Sequence, residues 1–430
     1  MYLLTLLFIF FLLVFCVMIL KEDIISPSVM FCFGYLFTLI MLPISCYYFK
    51  YTVGIETYCI ILFGSFIFVL FSQVVKYLTP RFIFNNFKIE KLQLISLHKI
   101  SYFIIFIVPI ITLCYLVYVF SDIVNFNSDV GNLPLYINKF RQLTAKNIVY
   151  LPFSLNQLLK ISKCLAYVCI YIYFNNSIFK NNYFKYIYFL FPALIFVFIS
   201  ILRGARFDIL EFIVISFFLF IFFKQCNGSK IKITVKSIKN YILIFILLIA
   251  FFSFSKYILG RSQSREFWEY LSFYFGNSII LLDLFLDNFN GTENIYFGQE
   301  SFYPIYSFLY KIGLIEHSYS THLEFAFYNG SSLGNVYTGY RSLINDFGYI
   351  GMFIMHAIFS ILINLFYYYV RYKKRKPIDI FLIFYLYLAS MPLLHFFNGR
   401  FFYIFSINYL SIFVTIFIMS AVLNAKFVRL

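Results

Sequence analysis

The sequence has 430 residues, of which 62% are hydrophobic and 12% are charged. Soluble domains are about 45–50% apolar and about 25% charged, so this composition excludes an ordinary soluble enzyme and indicates a protein with several membrane-spanning helices. The formal net charge of +16 does not indicate nucleic-acid binding. The basic residues are dispersed over short segments between apolar runs, which is the distribution that membrane topology favours.

The apolar runs predict an all-α integral membrane protein with about eleven transmembrane helices, within a range of about ten to twelve. The first run has neither a basic leader nor a small-residue cleavage site, so it predicts a membrane helix and not a signal peptide. In chain order the predicted spans cover residues 2–20, 29–49, 58–75, 101–120, 150–174, 186–202, 207–223, 241–259, 342–370, 380–397 and 401–423. Residues 1–430 are expected to form a single polytopic membrane domain.

The charges between these spans predict the orientation of the chain. Most of the lysines fall on the cytoplasmic side when the C-terminus is cytoplasmic, and the odd number of spans then places the N-terminus outside. Arginine is distributed differently, since the predicted outer segments contain Arg141, Arg203, Arg206, Arg261, Arg265, Arg341 and Arg400. A guanidinium group binds phosphate oxygens through two parallel hydrogen bonds, so this distribution predicts an anion site on the outer side.

The segment RGAR, at 203–206, forms a very short predicted outer turn between two apolar runs. Gly204 lets the chain reverse there, and both guanidinium groups are expected to reach the outer interface or a cavity behind it. Asp208 and Glu211 follow at the start of the next helix. Two interpretations remain open: the arginines bind an anionic ligand, or they pair with these acids and extend toward the interface.

A second pair of arginines follows the eighth predicted span. Arg261 and Arg265 are four residues apart, so they share one face if the segment is helical. Trp268, the only tryptophan of the chain, lies just beyond them. The alternative interpretation is an amphipathic helix at the membrane surface that Trp268 anchors, and both interpretations can hold together.

The predicted large outer loop, at 260–341, is expected to contain the active-site cleft, because it is rich in the Tyr, Asn, Ser and aromatic residues that bind sugars. His317 and His322 have no third ligand at a suitable spacing, so they do not predict a metal site. Asp283 and Asp287 are four apart, which is typical of a wetted helix face. Nucleotide-binding motifs are absent from the sequence, and we expect neither a cofactor nor a metal.

The string NVYTGYRSLINDFGYIGMFIMHAIFSILIN (335–364) resembles the signature of bacterial O-antigen polymerases of the Wzy type. RGAR, the GRS at 260–262 and FNGRFF (397–402) also fit the plan of that family. The resemblance implies a fold related to the GT-C membrane glycosyltransferases and a place in the bacterial inner membrane, with the active site facing the periplasm. It also implies transfer of a growing glycan from undecaprenyl pyrophosphate to an undecaprenyl-pyrophosphate-linked repeat unit, with a separate chain-length regulator as a possible partner and no nucleic acid.

This interpretation assigns roles to particular residues. We expect arginines to stabilise the charge on the departing pyrophosphate without a metal. The main candidates are Arg203, Arg206, Arg261 and Arg400, and the further candidates are Arg265 and Arg341. Asp346 or His322 is the expected base that accepts the proton of the acceptor hydroxyl. Other possible bases are Glu324, Asp208 and Glu293, and a reaction without any base also remains open. Asp346 has a second interpretation, in which it pairs with Arg341. The side chains expected to contact substrate are Tyr337, Thr338 and Asn335.

Two other functions fit the same sequence. An O-antigen ligase shares the donor chemistry and much of the expected architecture. A flippase for polysaccharide lipids is also polytopic, but we expect it to place charge in a central cavity among its helices and to have little use for a long outer loop.

Overall fold

The computed structural model describes residues 1–19, 24–83, 92–125, 132–146, 148–227, 249–250, 253–257, 265–291, 295–317, 323–399 and 404–428. Most of the predicted span 241–259 lies outside these residues. The same holds for four residues to which the sequence analysis gave possible roles, which are Arg261, Glu293, His322 and Arg400.

The described part of the chain is mostly helical, as predicted. Its helices are α1 (Tyr2–Val14), α2 (Pro27–Phe49), α3 (Ile55–Ile83), α4 (Lys99–Val124), α5 (Leu133–Ala145), α6 (Phe153–Lys180), α7 (Phe191–Leu202), α8 (Arg206–Cys226), α9 (Phe267–Phe275), α10 (Asn277–Asp287), α11 (Tyr303–Lys311), α12 (Gly339–Tyr372), α13 (Ile380–Leu393) and α14 (Ile407–Val422). A π-helical turn, Phe15–Ile19, extends α1, and a 3-10 helix, Phe184–Leu190, precedes α7.

Six helical segments among the described residues are long and apolar enough to cross a membrane. They are Pro27–Phe49, Ile55–Thr79, Lys99–Val124, Phe153–Lys180, Phe184–Leu202 and Gly339–Tyr372. Shorter apolar helices occupy Tyr2–Met18, Ile380–Leu393 and Ile407–Val422. These helices indicate a multi-pass membrane protein, and the total of about eleven spans stays a prediction.

Local sequence signals explain where several helices begin and end. Ser26 precedes α2 and its hydroxyl accepts a hydrogen bond from the N–H of Val29, while Pro27 occupies the first helical position. Asn125 and Asn181 end α4 and α6 in the left-handed conformation, with φ values of 53° and 50°. Asparagine tolerates this conformation better than most residues, so it commonly terminates helices.

The chain divides into two compact units. The first unit comprises Met1–Lys88, Glu266–Lys373 and Leu388–Leu410. Within it α1 packs on α2 and α3, α3 packs along α12, and α9 packs on α2. The second unit comprises Ile89–Arg265, Lys374–Tyr387 and Ser411–Leu430, and in it α6 packs against α4, α7 and α8.

Short strands accompany the helices. β1 (Ile95–Ser96) pairs with β4 (Lys426–Phe427) in an antiparallel arrangement within the second unit. In the first unit β2 (Ala326–Tyr328) and β3 (Ser331–Gly334) form a hairpin. Asn329 and Gly330 form its two-residue turn, both with positive φ, as the common hairpin turns require. The predicted outer loop therefore contains a β-hairpin that the all-α prediction did not include.

Asp283 lies in α10 and is buried, so the interpretation of this residue as part of a wetted helix face is wrong. Its carboxylate accepts hydrogen bonds from the N–H of Gly54 (3.0 Å) and the hydroxyl of Tyr51 (2.9 Å), and also from the hydroxyl of Thr57. Because these donors lie at or just before the start of α3, Asp283 satisfies the N-terminus of that helix and fixes α10 against it.

The helix α12 is interrupted at Gly348, where φ is 66° and ψ is −175°. The sequence predicted one continuous span at 342–370. The structure instead has a short helix ending near Phe347 and a long helix that follows the break. A residue with a β-carbon rarely adopts this conformation, so the glycine permits the interruption.

Candidate functional site

The RGAR turn connects α7 to α8 in the second unit, as the sequence predicted. Gly204 has a φ of 66°, and its N–H donates to the carbonyl of Ile201 at 2.9 Å. The N–H of Ala205 donates to the carbonyl of Ser200 at 2.9 Å. These bonds reverse the chain within a few residues and place Arg203 and Arg206 at the two ends of the turn.

Arg141 from α5 packs across the same turn. A β-carbon added at Gly204 would lie 3.1 Å from both Cβ and Cδ of Arg141. The guanidinium group of Arg141 donates to the side-chain oxygen of Asn138 at 2.9 Å. Arg141 was predicted to lie on the outer side but not at this turn, because a contact across about sixty residues leaves no local signal in the sequence.

Lys163 from α6 holds the two acids that follow the turn. Its Nζ lies 3.1 Å from Oδ1 of Asp208 and 3.0 Å from Oε2 of Glu211. The ammonium group also lies 5.0 Å from the ring centroid of Tyr387. With a rise of about 1.5 Å per residue, Lys163 lies about 15 Å along α6 from its first residue.

Arg203 shares one of these acids. Its Nη1 lies 3.5 Å from Oδ2 of Asp208, and its side chain is about one-third exposed at 32%. The interpretation in which the acids pair with the arginines is therefore confirmed for this pair. Glu211 instead binds Lys163 and accepts a hydrogen bond from the hydroxyl of Tyr167 at 3.4 Å.

These side chains form one charged cluster, comprising Arg141, Arg203, Arg206, Lys163, Asp208 and Glu211. Arg206 and Glu211 are buried, whereas Arg203 is partly open to solvent. Lys163 and Arg203 pair with the two carboxylates, Arg206 lies at the end of the turn, and the aliphatic stem of Arg141 packs beside Gly204. Such a cluster can bind an anion with several oxygens, and a guanidinium at its open side supplies paired donors.

Asp346, the first candidate for the catalytic base, lies in the first unit and is buried. Its Oδ1 accepts from the N–H of Glu300 at 3.2 Å and its Oδ2 from the N–H of Ser301 at 2.6 Å. Both carboxylate oxygens thus bind the main chain just before α11. This contact fixes the turn against α12, and the role of base stays a prediction.

Arg341 also lies in the first unit, and it pairs with Glu300. Asp346 also interacts electrostatically with Arg341, as the alternative interpretation expected, while the described ion pair of Arg341 is with Glu300. The guanidinium carbon of Arg341 lies 4.9 Å from the ring centroid of Phe285 and 5.3 Å from that of Tyr337. Burial raises the pKa of Glu300, although the nearby Arg341 charge acts in the opposite direction.

The three residues predicted to contact substrate are Tyr337, Asn335 and Thr338, and the hydrogen bonds described for their side chains are with the protein itself. The hydroxyl of Tyr337 donates to the carbonyl of Glu324 at 3.3 Å, and burial raises its pKa. The amide of Asn335 donates to the carbonyl of Leu323 at 3.3 Å. Thr338 is buried, and among the described residues its hydroxyl has no hydrogen-bond partner. Their contact with a sugar stays a prediction.

Arg265 belongs to the second unit, like the charged cluster, and its carbonyl accepts a hydrogen bond from Nζ of Lys256 at 3.1 Å.

Trp268 is more than half exposed at 53% near the start of α9. Exposure of this ring agrees with its predicted place at a membrane surface.

A buried group that the sequence analysis missed lies in the first unit. We name it the histidine cluster, and it comprises Tyr35, Tyr340, His356 and His395. Nδ1 of His395 and the hydroxyl of Tyr35 are hydrogen-bonded at 2.8 Å, and the two imidazole rings lie 5.0 Å apart. The carbonyl of His395 accepts from the N–H of Gly339, which fixes the start of α12. These residues are far apart in sequence, so their spacing carries no signal.

Within the described ranges, no group of three or more His, Cys, Asp or Glu side chains is arranged to hold a metal ion. The family models, the curated proteins and the solved structures with which the chain was compared contain no match to it.

Proposed function

We propose that this chain is a membrane glycosyltransferase of the O-antigen polymerase type. It transfers a growing glycan from undecaprenyl pyrophosphate to an undecaprenyl-pyrophosphate-linked repeat unit at the periplasmic side of the bacterial inner membrane. One observation carries the proposal: at the RGAR turn Lys163 pairs with Asp208 and Glu211, and Arg203 pairs with Asp208 while staying partly open to solvent. The resemblance at 335–364 supports the same function.

The reaction forms a bond between the acceptor oxygen and the anomeric carbon while the bond from that carbon to the pyrophosphate oxygen breaks. The electron pair of the broken bond stays on the pyrophosphate, so negative charge increases there in the transition state. Preorganised guanidinium groups lower the energy of that charge without having to reorient. We propose that Arg203 and Arg206 supply these groups.

The proton of the acceptor hydroxyl must leave during the same reaction. Asp346 and His322 remain the proposed acceptors. In the described contacts each oxygen of Asp346 accepts one backbone N–H, and these bonds stabilise the charged carboxylate, which makes it a weaker base. Asp208 is a weaker candidate, because Lys163 and Arg203 both stabilise its charged form.

One observation favours the flippase as a second candidate. Lys163 lies about three turns into α6 and pairs with Asp208 and Glu211, so the second unit does place charge among its helices. Intramembrane charges of this kind also mark transport pathways. The polymerase remains the preferred proposal because of the arginines at the turn.

Deletion of the gene separates the three functions. Loss of a polymerase leaves surface glycolipid with a single repeat unit, whereas loss of a ligase or flippase leaves none. Electrophoresis of surface glycolipid from the deletion strain and from a complemented control strain shows which pattern occurs. Absence of the single-repeat band would reject the polymerase.

A reconstituted reaction tests the chemistry. Purified protein given lipid-pyrophosphate repeat units is expected to form a polymer ladder in the presence of EDTA and without nucleotide sugars. The reason is that the arginines take the place of a divalent ion at the pyrophosphate. Strict dependence on added Mg²⁺ or Mn²⁺ would contradict this mechanism.

A further inference from the structure

We propose that Lys163 is a positioning residue for the anion site. Its ammonium group holds Asp208 and Glu211 and thereby keeps these carboxylates from neutralising Arg203, which then binds a diphosphate. This inference rests on the proposed function, because it takes the charged cluster to be the diphosphate site.

The distances indicate that Lys163 and Arg203 compete for the carboxylate of Asp208. Lys163 approaches Oδ1 of Asp208 to 3.1 Å, whereas Arg203 approaches Oδ2 only to 3.5 Å. Lys163 contacts Glu211 as well, at 3.0 Å, so it binds both carboxylates while Arg203 binds one. The closer contacts of the acids are therefore with the lysine.

Burial increases the difference in strength between the Lys163–Glu211 and Arg203–Asp208 ion pairs. The side chains of Lys163 and Glu211 are 13% and 4% exposed, whereas that of Arg203 is 32% exposed. Charges attract more strongly in a medium of low dielectric constant, and solvent weakens pairs that are exposed. The Arg203–Asp208 contact is thus the one that a polyanion can replace at the smaller cost.

The surroundings of Lys163 indicate that it does not itself bind the ligand. Its ammonium group donates one hydrogen bond to Asp208 and one to Glu211, and the rings of Tyr387 and Tyr167 lie 5.0 Å and 5.9 Å from the ammonium nitrogen. The group is nearly enclosed by these contacts. Its effect on a ligand therefore acts through the two carboxylates.

Loss of the ammonium group would leave two carboxylates in the cluster without their main counter-charge. Asp208 already touches Arg203, so the released negative charge would hold that guanidinium more tightly. A diphosphate would then have to displace a stronger internal pair. Binding should weaken although no group that touches the ligand has been changed.

The test measures binding of farnesyl diphosphate to the purified full-length protein by titration calorimetry. Lys163→Met is expected to weaken binding about 10-fold to 100-fold, the range for one hydrogen bond to a charged group. Adding Asp208→Asn to Lys163→Met should restore most of the loss, because it removes the competing carboxylate. A purely structural role for Lys163 predicts no such restoration and would overturn the inference.

A matched control comes from the same helix. Lys160 lies one turn before Lys163, and its Nζ donates to the hydroxyl of Ser411 at 3.2 Å. Lys160→Met removes the same charge from α6 and is expected to bind the probe as the unaltered protein does. Equal weakening in Lys160→Met and Lys163→Met would mean that only the total charge matters, which would also overturn the inference.

A further variant keeps the test informative if Lys163→Met does not fold. Asp208→Asn alone leaves Lys163 in place and frees Arg203, so farnesyl diphosphate should bind more tightly than to the unaltered protein. Weaker binding would overturn the inference. If the unaltered protein binds neither farnesyl diphosphate nor farnesyl monophosphate, the proposed function fails. If the unaltered protein binds farnesyl diphosphate and Lys163→Met binds it equally well, only the role of Lys163 is rejected.

Discussion

The charged cluster and the histidine cluster bury polar side chains in opposite ways. In the charged cluster Lys163 lies within 3.1 Å of two carboxylates, and Arg203 pairs with one of them while staying partly exposed. In the histidine cluster the rings of His356 and His395 contact Phe31 and Tyr340, and the closest polar contact is the 2.8 Å bond to Tyr35.

The difference shows how each cluster contributes to the protein. A buried ion pair contributes little net stability, because desolvation of the charges offsets most of their attraction. Retention of these ion pairs beside a partly exposed arginine is therefore what the proposed anion site predicts. A neutral, hydrogen-bonded aromatic cluster contributes through packing and a satisfied hydroxyl. The first cluster should therefore respond to substitution in activity, and the second in stability.

The largest effect is expected from Arg203→Lys or Arg206→Lys. Lysine keeps the charge but loses the paired donors, so polymerisation should fall by about 10²-fold to 10³-fold, or about 2.7–4 kcal/mol. Polymer ladders at matched expression measure the loss. Arg371→Lys is the control, and equal activity of all three variants would show that the arginines at the turn only anchor the chain.

Arg375 is not a suitable control for this experiment, although the predicted topology places it on the same cytoplasmic side as Arg371. It is buried, and its guanidinium carbon lies 5.0 Å from the ring centroid of Phe223. Lysine does not reproduce this planar contact.

The next largest effect concerns the histidine cluster. His395→Phe removes the partner of the Tyr35 hydroxyl and leaves that group buried, which should lower the free energy of unfolding by about 1–3 kcal/mol. His356→Phe should cost less than about 1.5 kcal/mol, because among the described residues its ring nitrogens make no well-formed hydrogen bond and interact only with the backbone of Gly64. Denaturation in detergent measures the free energy of unfolding of each variant. Equal losses of stability in His395→Phe and His356→Phe would contradict this prediction.

A smaller effect is expected at Gly204. Alanine there takes a left-handed conformation, which costs about 1–2 kcal/mol, and its β-carbon presses on Arg141 at 3.1 Å. Gly313 has a similar φ of 75° with open space around it, so Gly313→Ala isolates the backbone cost. Farnesyl diphosphate binding should fall only in Gly204→Ala, and unchanged binding would remove Arg141 from the site.

The smallest effect is a pH dependence at Glu300. Burial raises its pKa in the folded protein, so the folded state holds the proton more tightly than the unfolded state does. Stability should therefore decrease as the pH rises from the ordinary Glu value of about 4.3 through the raised value. Glu300→Gln should lack this slope in denaturation experiments between pH 4 and 7, and parallel curves would contradict the prediction.

The sequence predicted helices better than it predicted contacts. The runs at 29–49 and 101–120 lie within α2 and α4, because twenty apolar residues have few alternatives to a helix. The position of the RGAR turn was also predictable. The pairing of Lys163 with Glu211 was not, since it joins residues on two helices whose facing surfaces the apolar pattern does not specify.

The interruption at Gly348 has a consequence for how the chain tolerates change during evolution. In an unbroken helix, insertion of one residue rotates everything beyond it by about 100°. The break at Gly348 separates the short segment that Asp346 fixes from the long helix that packs along α3. An insertion within the short helix can therefore be absorbed at the break without rotating the long helix, so the two segments tolerate changes in length independently.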